Sequence, residues 1–423
     1  MKRSLQAVTY VLAAIYFLVD AVFIGLAKPI SKWLANHLEM RRLLSVPFRE
    51  LTVELPLRRA DTRLQLFRGY RVQHNGVRGP LIGPLRFQSG LELETLRAAA
   101  ESMTWRCAVA NVPFGGAAGG VACDPRSLSP SEFERLVRRY GARLREMFGI
   151  YEDVCAPGPN TGAEAMSWIA DEYLTRQKNV IAPVIGKLAK HGGLPDSDKI
   201  VGRSTAALIA RAAEDIGLPV AGLRVAVGSM DGSAFQIASA LDQCGCVIVA
   251  ISVAREGLRC STGIDMQSLA DHVRGTGSLA GFEGAAKAIE VHALDCDALV
   301  LGAPEGTLNI AAAAQVRARL VVESSELVVT ADADHYFVKQ GVRMIPDLVG
   351  GAAQLLAASA EWSNNVQRLA WNEERAQQEI KDSLLRCYEQ VSERSRREQV
   401  GLRVASYALA IERVARCERL RVA

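Results

Sequence analysis

Residues 111–125 read NVPFGGAAGGVACDP, four glycines set around Ala117 and Ala118. Glycine adopts φ > 0 and lets backbone come close to a ligand, so such a run has the form of a loop beside a bound small molecule. Its centre offers no acid, base or nucleophile. A second glycine-bearing turn, GSMDGS at 228–233, follows the apolar run RVAV and precedes a helical pattern. That strand–turn–helix order can bring a phosphate to a helix N-terminus. The nine cysteines, at 107, 123, 155, 244, 246, 260, 296, 387 and 417, lack disulfide-framework spacing. Cys244-Gly245-Cys246 has no second pair nearby to complete a zinc tetrahedron. They read as buried free thiols of a reducing compartment, with no metal expected.

The elements that must hold these residues can be traced by periodicity. At 423 residues, 49% hydrophobic and 23% charged, the chain is long enough for two domains with a sizeable core. Residues 49–59 and 64–75 alternate as two partner strands. A loop is expected over 76–90, helices over 91–106 and 129–148 (the second behind the N-cap-like SPSE), and a loop at 156–162 leading into a helix capped by Thr161. From Gly222 the pattern becomes βαβ, with strands RVAV and CVIVAIS around one helix. Further strands are expected at 298–304, 319–324 and 343–347. The last seventy residues read as helices, including one strongly amphipathic helix lying over a core.

The net charge of +4 is small for this length and no block of five like charges occurs, which argues against nucleic-acid binding. Arginine outnumbers lysine several-fold, and no lysine occurs from Trp33 to Gln177. Arginine holds charge but does not serve as a general base. The N-terminal region contains an apolar run that begins at Ala7 and ends at Ala27, with Asp20 its only charge. It is long enough to span a bilayer and too long for a signal peptide. Membrane contact and burial against protein both accommodate it.

From Arg49 onward the chain resembles the glutamate/leucine/phenylalanine/valine dehydrogenase family, and most of all its glutamate dehydrogenases. The resemblance rests on an ordered set: GYRVQHN (69–75), MTWRCAVANVPFGGAAGG (103–120), CDP (123–125), PNT (159–161), GR (202–203), DCD (295–297), VVE (321–323), IPD (345–347), EW (361–362) and YALAIERV (407–414). It implies an α/β fold of two domains. The expected division is an apolar N-terminal helix or anchor (1–32), a substrate-type dimerisation domain (33–180), a Rossmann-like domain (181–350) and C-terminal helices returning to the first domain (351–423). It also implies an oligomer.

The same comparison implies losses. The family's catalytic lysine, in G-G-A-K-G-G, falls on Ala118. The substrate-carboxylate lysine of K-G-G-[IV]-R falls on Ile82, the proton-shuttling aspartate of P-A-P-D on Gly158, and the carboxylate-holding serine on Ala358. The second substrate lysine is Arg106. On the cofactor side the G-x-G-x-x-G positions are Ser229, Asp231 and Ala234, the ribose-binding acid is Val253, and the nicotinamide-contacting threonine is assigned to Ala207. Asp231 would repel a diphosphate.

These substitutions imply no catalytic residues, no NAD or NADP, and a degenerate member acting as a structural or scaffold subunit of a larger, possibly membrane-associated assembly. Two other readings remain open. One is an NAD(P)-dependent glutamate dehydrogenase with a rearranged site, drawing on a residual polar set of Arg106, Arg86, Asp124 and Arg203. The other is a sensor of a small anion held by Arg86 and Arg106. His74 and His191 read as structural. The expected location is a reducing compartment, either the mitochondrial matrix face of the inner membrane or a bacterial cytoplasm.

Overall fold

A computed structural model describes residues 44–175, 181–229, 232–254, 256–287, 291–302, 306–369 and 371–422. The apolar run from Ala7 to Ala27 lies outside them. Among the described residues no helix is long and apolar enough to cross a membrane. The chain forms two compact units: unit 1 comprises Met1–Pro195, Ala357–Asn372 and Tyr407–Ala423, and unit 2 comprises Asp196–Leu356 and Glu373–Ser406. The C-terminal helices are thus shared between the two units.

Unit 1 begins with the antiparallel pair β1 (Arg49–Arg58) and β2 (Leu64–Asn75), in the register Leu55↔Phe67. Next come β3 (Leu81–Gln88), α1 (Leu93–Val109), β4 (Gly115–Ala122), α2 (Pro130–Leu144), β5 (Asp153–Pro157) and α3 (Ala163–Leu174). The sheet order is β1-β2-β4-β3-β5. Two expectations fail here. The segment 76–90 carries β3, parallel to both β4 and β5. The glycine run is likewise no loop but strand β4, buried along nearly its whole length.

Close packing explains the glycines of β4. A Cβ on Gly116 would sit 2.3 Å from Ala100 O and Thr104 N of α1, and one on Gly115 would sit 2.0 Å from Asn75 O. Gly120 has φ +155° and faces Arg86 O, where a Cβ would come to 1.9 Å. Only a strand without side chains lets helix and neighbouring strands approach this far. One face of the sheet packs Leu55, Leu57, Phe67, Leu85 and Phe87 with α2 and α3 residues such as Tyr140 and Ile169. Another cluster joins Tyr70, Val72 and Ala118 to Leu96, Ala99 and Ala100 of α1.

Ser129 caps α2 as expected, in a reciprocal capping box with Glu132. Glu132 also accepts Ala60 N at 2.9 Å and Arg59 Nε at 3.1 Å. These backbone donors, led by Ser129 N, hold its carboxyl down at about 2. The cap of α3 is Gly162, not Thr161. The Thr161 hydroxyl instead bonds the preceding turn. Arg71 and Asp153 form an ion pair with no solvent exposure on either side, joined by Gln73 at 2.6 Å. The EW motif supports the same unit: Glu361 takes Lys187 Nζ at 2.7 Å and Gly186 N at 3.0 Å, and Trp362 Nε1 donates to Ile150 O.

Unit 2 starts with α4 (Ser197–Glu214), β6 (Arg224–Ser229), α5 (Ser233–Gln243), β7 (Val247–Val253), β8 (Glu256–Arg259), α6 (Met266–Thr276) and β9 (Ala286–Lys287). It continues with β10 (Ala298–Gly302), α7 (Ile310–Ala313), β11 (Leu320–Glu323), α8 (Ala331–Gln340), β12 (Arg343–Ile345) and α9 (Asp347–Gly350). Helix α10 (Ala352–Gln367) runs on into unit 1. Helix α11 (Glu373–Glu398) lies on α4 through Gln377 and Ser204, and α12 (Leu402–Val422) ends the described chain. The sheet order is β12-β11-β10-β6-β7-β8-β9, parallel from β12 to β7 with an antiparallel edge. This is a Rossmann-like sheet, with its strand order reversing between β6 and β10. Arg403, at the start of α12, is buried against Glu323 at 2.6 Å, Asp347 at 3.2 Å and Asp334 at 3.6 Å.

Candidate functional site

Within unit 1 the motif positions gather on the sheet. Strands β3 and β4 run parallel with Ile82 beside Gly116. Side chains two apart on a strand share a face, so Ile82 and Ala118 lie on one side. Both are fully buried. Ala118 belongs to the apolar cluster under α1, with no polar side chain among its members except the Tyr70 phenol. Gly158 follows β5, and Ala358, on α10, is half-buried.

The residual polar set divides between the two units. Arg86 is buried on β3, beside Gly120. Arg106 is half-buried in the last turn of α1. Asp124 is spent locally, accepting Arg126 N at 3.1 Å and pairing with Arg126 Nε at 3.1 Å, which lowers its pKa. Arg203 belongs to the other unit, on the exposed side of α4, and is bound to Glu373 at 2.6 Å. His74 is buried, its Nδ1 2.9 Å from Thr104 Oγ1 and its ring edge-on to Trp105. Desolvation brings its pKa down to about 4, so the ring is neutral in the folded chain near neutral pH.

Within unit 2 one hydroxyl stands at the end of β6 and another at the start of α5. Ser229 Oγ and Ser233 Oγ are 3.0 Å apart, and Ala234 is fully buried. Asp231 lies outside the described residues. Val253 ends β7, paired with Glu256 across the β7–β8 turn. A cavity of about 10 Å³ lies here, lined by Val201, Thr205, Ser233, Ser324 and Gly350. Such a volume holds about one water. Ala207 does not line it. Val201 and Thr205, one helical turn apart on α4, do, and periodicity along that helix was the signal available for them.

A wider groove of about 410 Å³ runs between α4, α5 and α6. Its cations Lys199, Arg203 and Arg274 are each held by a carboxylate: Asp196, Glu373 and Asp271. Among the described residues no group of three His, Cys, Asp or Glu could hold a metal ion. All nine cysteines are free. Burial pushes Cys107, Cys123, Cys155 and Cys296 up to about 12, which leaves them inert thiols.

Two family models account for most of the chain. Residues 47–175 match the Glu/Leu/Phe/Val dehydrogenase dimerisation domain, and residues 192–421 match glutamate/leucine/phenylalanine/valine dehydrogenase. The chain belongs to the Glu/Leu/Phe/Val dehydrogenase family. It is 32% identical over 382 residues to the glutamate dehydrogenase of Thermotoga maritima, covering 89% of this chain and 92% of that protein. The Leu-bound hetero-hexameric glutamate dehydrogenase of Thermus thermophilus superposes with a TM-score of 0.85 at 32% identity, over 93% of this chain and 96% of that one. The glutamate dehydrogenase of Peptoniphilus asaccharolyticus, 23% identical, shares the fold with a TM-score of 0.80 over 96% and 99%.

Proposed function

We propose that this chain is a non-catalytic member of the glutamate dehydrogenase family, serving as a structural subunit alongside a catalytic chain of the same family. The observation that carries this reading is the placement of Ile82 and Ala118. Two positions where the family has lysines hold apolar side chains on one sheet face, both without solvent exposure. A general base must reach its substrate within hydrogen-bond distance, and neither isoleucine nor alanine can take up a proton. Gly158 and Ala358 remove the proton shuttle and a carboxylate holder in the same stroke.

The nucleotide side supports the same reading. A dinucleotide needs glycines at the strand–helix turn for its pyrophosphate. Here Ser229 and Asp231 stand at the first two of those positions. Set on the cavity-facing side of α4, the family's E-A-T-G reads better as residues 199–202, placing Val201 at the threonine. Valine offers no hydrogen bond to a nicotinamide amide. These residues do not fit NAD or NADP.

The subunit role draws on the match to a dimerisation domain and on the hetero-hexameric relative. It also draws on Leu64 and Leu66, two apart at the start of β2, each with more than 60% of its surface exposed. Neighbouring exposed apolar residues of this kind mark a face that a partner covers. The run from Ala7 to Ala27 extends the proposal to contact with a membrane or a further protein. The absence of disulfide-framework spacing among the cysteines supports a reducing compartment for the assembly.

Full-length chain assayed with glutamate plus NAD or NADP, and with 2-oxoglutarate, ammonium and the reduced cofactors, is expected to show no turnover. It is expected to show no heat of NAD(P) binding by calorimetry. Co-expression with a catalytic glutamate dehydrogenase chain from the same cell is expected to give a mixed oligomer by native mass spectrometry. Turnover by the chain alone would establish a rearranged active site instead.

A further inference from the structure

We propose that the outer face of α2 is a docking surface for an anionic lipid bilayer, which it meets through a row of arginines. The inference rests on the membrane contact in the reading above and assigns that contact a surface.

The row is invisible as a block of charge in the sequence and exists only once the helix forms. Arg135, Arg139 and Arg143 are spaced by four, so they stand one above another on one side of α2. All three are exposed. The opposite side is apolar and covered, with Leu136, Val137, Tyr140 and Leu144 packed into the core of unit 1. Arg138, off the row, is taken by Glu134 at 2.8 Å and Asp171 at 2.6 Å. Among the described residues no carboxylate pairs with the three in the row. Arg135 Nη2 donates to Arg58 O at 3.3 Å, which brings the end of β1 alongside. The Arg58 side chain is itself exposed and donates to a backbone carbonyl, Thr62 O, at 3.0 Å. The exposed Glu146, just past the helix, offsets one of these four charges.

A guanidinium keeps its proton and binds phosphate through parallel N–H bonds, so a row of them suits a surface of closely spaced phosphates. The residues that precede the described chain favour a bilayer as that surface. The run from Ala7 to Ala27 is long enough to span one. The 16 residues between Ala27 and Leu44 carry Lys28, Lys32, Arg41 and Arg42 against Glu39. Such a basic flank is what an anionic leaflet attracts. A stretch of that length reaches at most about 55 Å. A domain of about 200 residues is roughly 45 Å across. A run lodged in a bilayer therefore leaves enough chain to lay α2 on the same surface.

The test uses the full-length chain on floated vesicles of phosphatidylcholine and phosphatidylglycerol that carry a trace of phosphatidylglycerol with a photoreactive headgroup. The parent is compared with Arg135→Gln, Arg139→Gln and Arg143→Gln combined, and with Arg135→Lys, Arg139→Lys and Arg143→Lys combined. Illumination of the parent is expected to label α2, with the adducts located by peptide mass spectrometry. Each arginine near such a surface contributes about a factor of five. The glutamine variant is therefore expected to lose roughly ten-fold or more of the α2 label, and the lysine variant to keep most of it. If the glutamine variant does not fold, Arg139→Gln alone is expected to lose about five-fold. Label confined to peptides outside α2 overturns the docking and leaves the membrane contact standing, whereas no flotation overturns both. Parent-like labelling of the glutamine variant also overturns it. So does loss of the mixed oligomer in that variant, which assigns the row to a protein partner. Dehydrogenase turnover by the parent chain would refute the non-catalytic reading and leave the docking untouched, so the two failures are distinguishable.

Discussion

Gly116 of β4 lies flat against Thr104 of α1: a Cβ on the glycine would fall 2.3 Å from both the backbone nitrogen and the hydroxyl of the threonine. The contact explains a glycine run that carries no chemistry. Gly116→Ala is expected to destabilise the chain by about 3 kcal/mol, since backbone on both sides must shift. Urea denaturation would measure it, and a midpoint unchanged from the parent would mean that the helix moves freely off the strand.

Restoring the family's lysine is expected to do harm. Ala118→Lys places an ammonium among Val72, Leu96, Ala99 and Ala100, where an unpaired charge costs several kcal/mol. The exposed glycine loop suggested by sequence would have accommodated it, whereas the buried strand does not. The variant is expected to lose soluble yield or melt well below the parent, without glutamate dehydrogenase activity. A parent-like melt by circular dichroism would show that the cluster admits water.

Glu101, half-buried on α1, accepts Trp105 Nε1 at 3.3 Å, and burial pushes its carboxyl up from 4.5 to about 7. A folded pKa above the unfolded one means that stability is fully present below about pH 4.5 and is lost as pH rises through 7. Glu101→Gln keeps an acceptor for the indole and never ionises. It is expected to gain about 2 kcal/mol at pH 8 and nothing at pH 4.5. Paired urea melts at the two pH values check the sign.

Arg403 faces Glu323, Asp347 and Asp334 in the interior of unit 2. Desolvation, reinforced by Asp347 and opposed by Arg403, raises the Glu323 carboxyl. Arg403→Met leaves buried carboxylates without their partner and is expected to cost about 3–5 kcal/mol at pH 8. The loss should shrink toward pH 5, where the raised Glu323 carboxyl takes up its proton. An equal loss at both pH values would assign the effect to packing alone.

The sequence revealed β2 to the residue because its apolar positions alternate, and α2 because Ser129 and Glu132 announce its start. It concealed β3 and β4. Gly83, Pro84, Gly115 and Gly116 carry the composition of a turn, and their strand geometry comes from neighbours distant in the chain. Thr161 had the form of a helix cap, but β3 offered its hydroxyl a better partner. The motif positions were legible through the family pattern. The surroundings of Ala118 were not, because Leu96, Ala99 and Ala100 reach it from a separate helix. Which face of α4 meets the cavity at Val201 was hidden for a related reason, since one helix presents many faces and only packing decides among them.

Unit 1 takes its last pieces from the end of the chain. Asn75 Nδ2 meets Glu418 Oε1 at 2.7 Å, and Arg413 reaches Ala108 O and Val109 O at the end of α1. A ribosome therefore finishes all of unit 2 before unit 1 can close, although unit 1 begins first. During synthesis the early sheet must wait, half-covered, for some 340 residues before its closing helix emerges. Loop entropy makes that wait cheap in equilibrium terms, since each doubling of a loop costs only about 0.6 kcal/mol. The burden falls on kinetics, with the Asn75 end of β2 and the last turn of α1 left open until α12 arrives.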